Sequence, residues 1–217
     1  MQTTLKKDLT AKQVASTLLK IGAIQLRPQQ PFTWSSGWKS PIYCDNRLAL
    51  SYPEARTFIK ESLADLIRQA YPQVEIIAGV ATAGIPQGAL VADMLQLPFI
   101  YVRSKPKEHG MSNMIEGKIT PGQKVVIIED LISTGGSSIK VADALREAGF
   151  MVLGMSAIFT YGFETATQNF LEKQLPLSCL SNYHILLEEA VTGKYIAQSE
   201  VASLQEWRKD PGNWMKS

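Results

Sequence analysis

The fold turns on the stretch "VVIIEDLISTGGSS", residues 125–138. It opens with an apolar run that shows no polar alternation. Such a run predicts a strand covered on both faces, here spanning 124–130. Two acids, Glu129 and Asp130, close it. Gly135 and Gly136 follow, ringed by Ser133, Thr134, Ser137 and Ser138. The next residues, "SSIKVADALREAGF", have helical periodicity and end near Gly149.

A strand, a glycine and hydroxyl turn, and then a helix is the general recipe for an anion cradle. Backbone N–H groups at a helix N-terminus are unpaired and point outward. Glycine lets the backbone turn tightly, and hydroxyls add donors. No lysine follows Gly135-Gly136, so the P-loop pattern is absent, and so is GxGxxG. A carboxylate pair beside an anion cradle suits a ligand that offers hydroxyls or a cation. Ribose 5-phosphate offers both, because the acids can accept from ribose hydroxyls or steady a magnesium ion through water. The competing reading is that Glu129 and Asp130 cap the helix, and composition alone does not decide between the two.

Outward from this stretch, strands and helices alternate. "EIIAGV" (75–80) and "PFIYVR" (98–103) read as strands, with a short helix "QGALVADMLQ" between them. "MVLGMSAIFTY" reads as a fourth strand after 124–130. Upstream, "TAKQVASTLLKI" (10–21) and "SYPEARTFIKESLADLIRQAY" (51–71) read as helices, with a short strand around Ile42–Cys44 between them. The second helix has capping-box spacing at Ser51 and Glu54, and a buried stripe of Phe58, Ile59, Leu63, Leu66 and Ile67. Further helices are expected at about 164–174, 185–192 and 198–209. The alternation predicts an α/β fold with a doubly wound, mainly parallel sheet. Ligands in such sheets bind beyond the carboxyl ends of the strands, so the loops at 81–86, 103–116 and 130–137 should border one site.

The 217 residues are enough for one such domain, and 45% apolar with 19% charged is ordinary for a globular chain. A net charge of +2 argues against a dedicated nucleic-acid binder. Cys44 and Cys179 show no metal-ligand spacing and are expected as free thiols. No run has the length of a membrane span and the N-terminus lacks an apolar signal core, so a cytoplasmic protein is expected. His184 and the scattered tryptophans read as structural.

"VVIIEDLISTGGSS" resembles the signature of the type I phosphoribosyltransferases, and "EDLISTGGS" is the version typical of the orotate phosphoribosyltransferase family. Three further stretches extend the resemblance over roughly residues 10–160. "YVRSKPKEHG" (101–110) places Arg103, Lys105, Lys107 and His109 on a loop, which by itself is either a solvated basic loop or a lid. It is similar to the family's catalytic loop. That likeness implies that Arg103, Lys107 and His109 contact diphosphate, that Lys107 and His109 serve catalysis, and that the loop acts across a homodimer. "GVATAGIP" (79–86) resembles the family's diphosphate loop, held by backbone N–H groups of about Ala81 to Gly84; Ala83 stands where some members carry lysine. "FTWSSGWKSPIYCDNR" (32–47) resembles the N-terminal hood over the base. Other members carry a lysine where Ser35 stands and an arginine in the region matching "IFTYGFE". This chain has neither and resembles a second bacterial branch, with Ser133, Lys39 and Arg47 as candidates for the base carboxylate.

The resemblance implies the transfer of ribose 5-phosphate from phosphoribosyl diphosphate to orotate, in pyrimidine synthesis. Glu129, Asp130, Leu131, Ile132, Ser133, Thr134, Gly135, Gly136 and Ser137 would hold the ribose phosphate, and Ser133 would also meet orotate. Magnesium would ride on the substrate, with no metal site on the protein. Residues 1–50 would form the hood, 51–160 the core, and 161–217 C-terminal helices completing core or hood. Partners would be the two substrates and a second copy, with no nucleic acid and no membrane. Two alternatives remain at this stage. One is transfer to another base; the other is a non-catalytic regulator that senses phosphoribosyl diphosphate.

Overall fold

The computed structural model describes residues 2–34, 37–104 and 114–214. The chain opens with helix α1 (Gln2–Lys20), which starts well before the periodic stretch at 10–21. Four short strands follow as two antiparallel pairs: β1 (Ile24–Leu26) with β4 (Ile42–Cys44), and β2 (Phe32–Thr33) with β3 (Lys39–Ser40). A 3-10 turn, Asn46–Ser51, leads into α2 (Pro53–Ala70). The expected capping box is absent. Tyr52 is the N-cap and makes no side-chain cap bond, because Ser51 is taken into the 3-10 turn. Of the expected stripe, Ile59, Leu63 and Ile67 are fully buried, while Phe58 and Leu66 are partly buried.

The rest alternates as expected, with β7 and β10 as strands beyond the expected ones: β5 (Ile76–Val80), α3 (Gly84–Leu95), β6 (Phe99–Val102), β7 (Ile115–Glu116), β8 (Lys124–Ile132), α4 (Gly136–Glu147), β9 (Met151–Thr160), α5 (Glu164–Glu172), β10 (Leu177–Asn182), α6 (Tyr183–Thr192) and α7 (Val201–Lys209). One sheet runs β10-β9-β8-β5-β6-β7, parallel throughout except for the antiparallel β6–β7 edge pair.

The run at 125–128 lacks alternation because both faces of β8 are covered. Val125 and Ile127 join a core with Ile139 and Leu145 of α4 and Phe170 of α5. Val126 and Ile128 join the opposite core with Leu18 of α1, Leu63 of α2 and Val91 of α3. Each such side chain contributes about 1.5–3 kcal/mol by leaving water. Helix α3 lies against the sheet backbone itself: a Cβ on Gly84 would collide with the Ile128 carbonyl. That contact fixes the turn between β5 and α3 beside the end of β8.

Candidate active site

The carboxyl ends of β5, β6 and β8 open onto a cavity of about 500 Å³. Its walls are Ala81, Thr82 and Ala83 after β5, Arg103 and Ser104 after β6, and Glu129 to Leu131 on β8. Met114 and, from α4, Ser137, Lys140 and Val141 complete it. The three loops expected to border one site therefore meet there.

Strand β8 runs two residues past the acids, which places Glu129 and Asp130 inside the strand. Ile132 is fully buried, and its carbonyl accepts from the Tyr161 N–H at 3.1 Å and the Thr160 hydroxyl at 3.2 Å. Its side chain therefore faces the core. The turn after it is held from behind by α5. The Asn169 amide donates to the Thr134 carbonyl at 2.9 Å. Gly135 has φ +81°, and a Cβ there would stand 2.6 Å from the Phe170 ring. Gly136 faces open space. The cap of α4 is Gly135, with no side-chain cap bond, so the first-turn N–H groups keep the unpaired character of a helix start.

This arrangement answers the capping question. The Glu129 carboxyl does not cap α4. One oxygen accepts from the Asp130 N–H at 3.0 Å and the other from the Ser138 hydroxyl at 3.1 Å. Glu129 is 6% exposed. Burial, and then the hydrogen bond and charge of Asp130, push it up to about 9. These surroundings favour its protonated form. Asp130 stays half-buried on the cavity wall, and its carbonyl accepts from the Asn46 amide at 2.7 Å.

Arg103 reaches the cavity while its guanidinium lies 3.6 Å from Glu116 of β7. Its N–H donates to the Met114 carbonyl at 2.8 Å, closing the base of the β6–β7 hairpin. Lys105, Lys107 and His109 lie outside the described residues, as does Ser35. The segment that carries the lysines and the histidine leaves from Ser104 and returns at Met114, both on the cavity wall. In the 81–84 turn the Ala81–Thr82 peptide is cis, and the Ala81 N–H is already donated to Val102. The free donors of that turn therefore begin after Ala81. Its extension of the β5–β6 ladder could not be read from the apolar run.

Of the residues considered for the base carboxylate, Ser133 is half-buried in the turn. Lys39 donates to the Thr33 hydroxyl at 2.9 Å. Arg47 is engaged by both oxygens of Asp45, at 2.7 and 2.9 Å, which holds Asp45 below the usual carboxylate range. The region matching "IFTYGFE" packs as aromatics: Tyr161 stacks on Phe163 at 5.4 Å and touches Trp34 at 5.5 Å and Trp207 at 5.7 Å. His184 is an exposed residue of α6, with Nε2 3.3 Å from Glu188. Sequence reasoning missed Lys140 as a site residue. Its signal was available, since it lies one helical turn beyond Ser137 and so on the same face. Asn46 carried no such signal, because its partner is 84 positions away.

Comparison with known proteins agrees with this geometry. The phosphoribosyl transferase domain family matches residues 52–177. The orotate phosphoribosyltransferase of Cytophaga hutchinsonii is 62% identical over 205 residues, covering 94% of this chain and 98% of that protein. That of Porphyromonas gingivalis is 55% identical over 203 residues, covering 94% and 97%. The crystal structure of orotate phosphoribosyltransferase from Aeropyrum pernix superposes with TM-score 0.74 at 29% identity, covering 83% of this chain and 99% of that one. A parallel sheet with an acid pair at the end of β8, an open glycine turn after it and these relatives lead to one assignment: the chain belongs to the orotate phosphoribosyltransferase family, on the type I phosphoribosyltransferase fold.

Proposed function

We propose that this chain transfers ribose 5-phosphate from phosphoribosyl diphosphate to orotate, giving orotidine 5-phosphate and diphosphate. The observation that carries this reading is the pairing of Asp130 and Glu129 with an uncapped helix start across one cavity. The N-terminus of α4, with Gly136, Ser137 and the Lys140 ammonium, holds the 5-phosphate. Asp130 accepts from the ribose hydroxyls, and Glu129, carrying its proton, fixes Asp130 from behind. The N–H groups after Ala81, together with Arg103, Lys107 and His109, take the diphosphate.

The bond from the anomeric carbon to diphosphate breaks with oxocarbenium character, and an orotate nitrogen bonds to that carbon. The protein contributes position, pinning both ends of the sugar so that the reactive carbon passes between fixed partners. Among the described residues no group of three or more His, Cys, Asp or Glu gathers around a metal. Of the pair, only Asp130 presents its carboxylate to the cavity, where it would meet a water of a magnesium ion that arrives on the substrate. When bound, the ion neutralises diphosphate charge.

The hood reading is supported by the contact of Trp34 with Tyr161, next to the end of β8. A homodimer is supported by α3, where Ile85, Pro86, Leu90 and Met94 are only half-buried. No helix among the described residues is long and apolar enough to cross a membrane, which suits a cytoplasmic enzyme.

Loss of orotate absorbance on adding phosphoribosyl diphosphate and magnesium tests the activity. No change with orotate, together with turnover of another base, overturns it. For the loop, Lys107→Ala should lower kcat far more than it weakens binding of the nucleotide product. An unchanged kcat would remove Lys107 from the site.

A further inference from the structure

Asn46 is 1% exposed, and both ends of its amide are used. Nδ2 donates to the Asp130 carbonyl at 2.7 Å, and Oδ1 accepts from the Cys44 thiol at 3.3 Å. The residue opens the 3-10 turn just after β4, inside the segment read as the hood. Its partner is the backbone of the acid that faces the cavity.

The reason that carbonyl needs Asn46 lies in the ladder. Strand β8 is paired with β5 only as far as Ile128, opposite Gly79. Strand β5 then turns away into the 81–83 loop, and β8 continues against β9 alone. Asp130 lies two residues past the last β5 pair. Buried backbone acceptors are almost always matched, and here a side-chain amide replaces the departed strand.

We propose that Asn46 is a positioning residue for the sugar-binding acid, and that it ties the base-covering segment to the strand that holds the ribose. The proposal rests on the reading of Asp130 as the ribose ligand. Asn46 sets where the Asp130 carboxylate points by fixing its main chain. The covering segment and the acid then keep one geometry, so a base seated under the former meets an anomeric carbon aligned by the latter.

A double-mutant cycle tests this. Asn46→Ala should lower kcat/KM roughly 10- to 100-fold in the natural chain, as a small misplacement of a reacting group does. In an Asp130→Ala background, where no carboxylate remains to be aimed, the same change should alter kcat/KM by less than about twofold. Equal losses in both backgrounds would show that Asn46 only supports the fold, and would overturn the proposal. Loss of less than about twofold in the natural chain would overturn it as well. If Asp130→Ala alone leaves kcat/KM unchanged, the fault lies with the ribose reading of Asp130, a distinguishable result. Should Asn46→Ala not fold, Asn46→Ser, which is too short to reach the carbonyl, enters the same cycle under the same criteria.

Discussion

Glu129 and Asp130 are neighbours in sequence but meet opposite surroundings. Asp130 faces the cavity, whereas Glu129 is buried, bonded to Ser138 and pushed up to about 9. A carboxyl whose folded pKa is raised binds its proton more tightly in the native state than in the unfolded chain. Its contribution to stability is therefore fully present below the unfolded value of about 4.5, and is lost as pH rises toward about 9. Glu129→Gln keeps the shape and removes the titration. The melting temperature of the variant minus that of the natural protein should rise between pH 5 and pH 8. A difference that stays flat over this range would mean that Glu129 is ionised in the fold. The acid pair beside a glycine turn was legible in "IIED", with its capping and ligand-binding readings both open. Their unequal burial was not, since it depends on Ser138, nine residues on, and on a strand that continues to Ile132.

At the scale of the element, two adjacent glycines divide the work of the turn after β8. Gly135 is held at φ +81° against the Phe170 ring, while a Cβ on Gly136 would meet nothing within 4 Å. Gly135→Ala should destabilise the protein by about 1–3 kcal/mol in a urea melt. Gly136→Ala should stay within about 1 kcal/mol of the natural protein, yet bind phosphoribosyl diphosphate more weakly, because its methyl group enters the open space that the proposed function gives to the phosphate. Equal stability loss at both positions would contradict this division. In "STGGSS" the two glycines look interchangeable, and only the packing of α5 separates them. The parallel strands were legible because they are apolar runs. Strand β10, "LSCLSN", was not, because it lies at the sheet edge and alternates too weakly to stand out. Of the short antiparallel strands, β4 was legible at Ile42–Cys44, whereas β1, β2 and β3, of two or three residues, are too short to show a repeating pattern.

Across the whole molecule, distant segments converge on Trp207. It is fully buried and packs edge-on against Trp34 at 5.7 Å and Phe163 at 5.4 Å, with Tyr183 at 5.4 Å. Nearby, Arg208 donates to the Gly162 carbonyl at 2.9 Å, and Gln29 donates to Glu200 at 3.1 Å. Trp207→Ala should cost about 3–5 kcal/mol in a denaturant melt. It should also raise KM for orotate more than KM for phosphoribosyl diphosphate, because Trp34 loses its support. An equal rise in both constants would argue against Trp34 belonging to the base side. No pattern in the sequence announced this cluster, since its four members lie in four different elements and turns. The hairpin of β6 and β7 has the opposite character. Next to the ladder pairs of Tyr101 with Glu116 and Val102 with Ile115, its base is closed by a backbone bond from Arg103 to Met114. The sheet therefore already holds together the two ends of the stretch between them. Closing a longer excursion costs only about 0.6 kcal/mol for each doubling of its length. By the loop-closure cost alone, an insertion between 105 and 113 should change the folding free energy by less than about 1 kcal/mol, while the proposed function expects it to lower turnover. The sheet edge thus fixes where that stretch starts and ends, and sets no length for it.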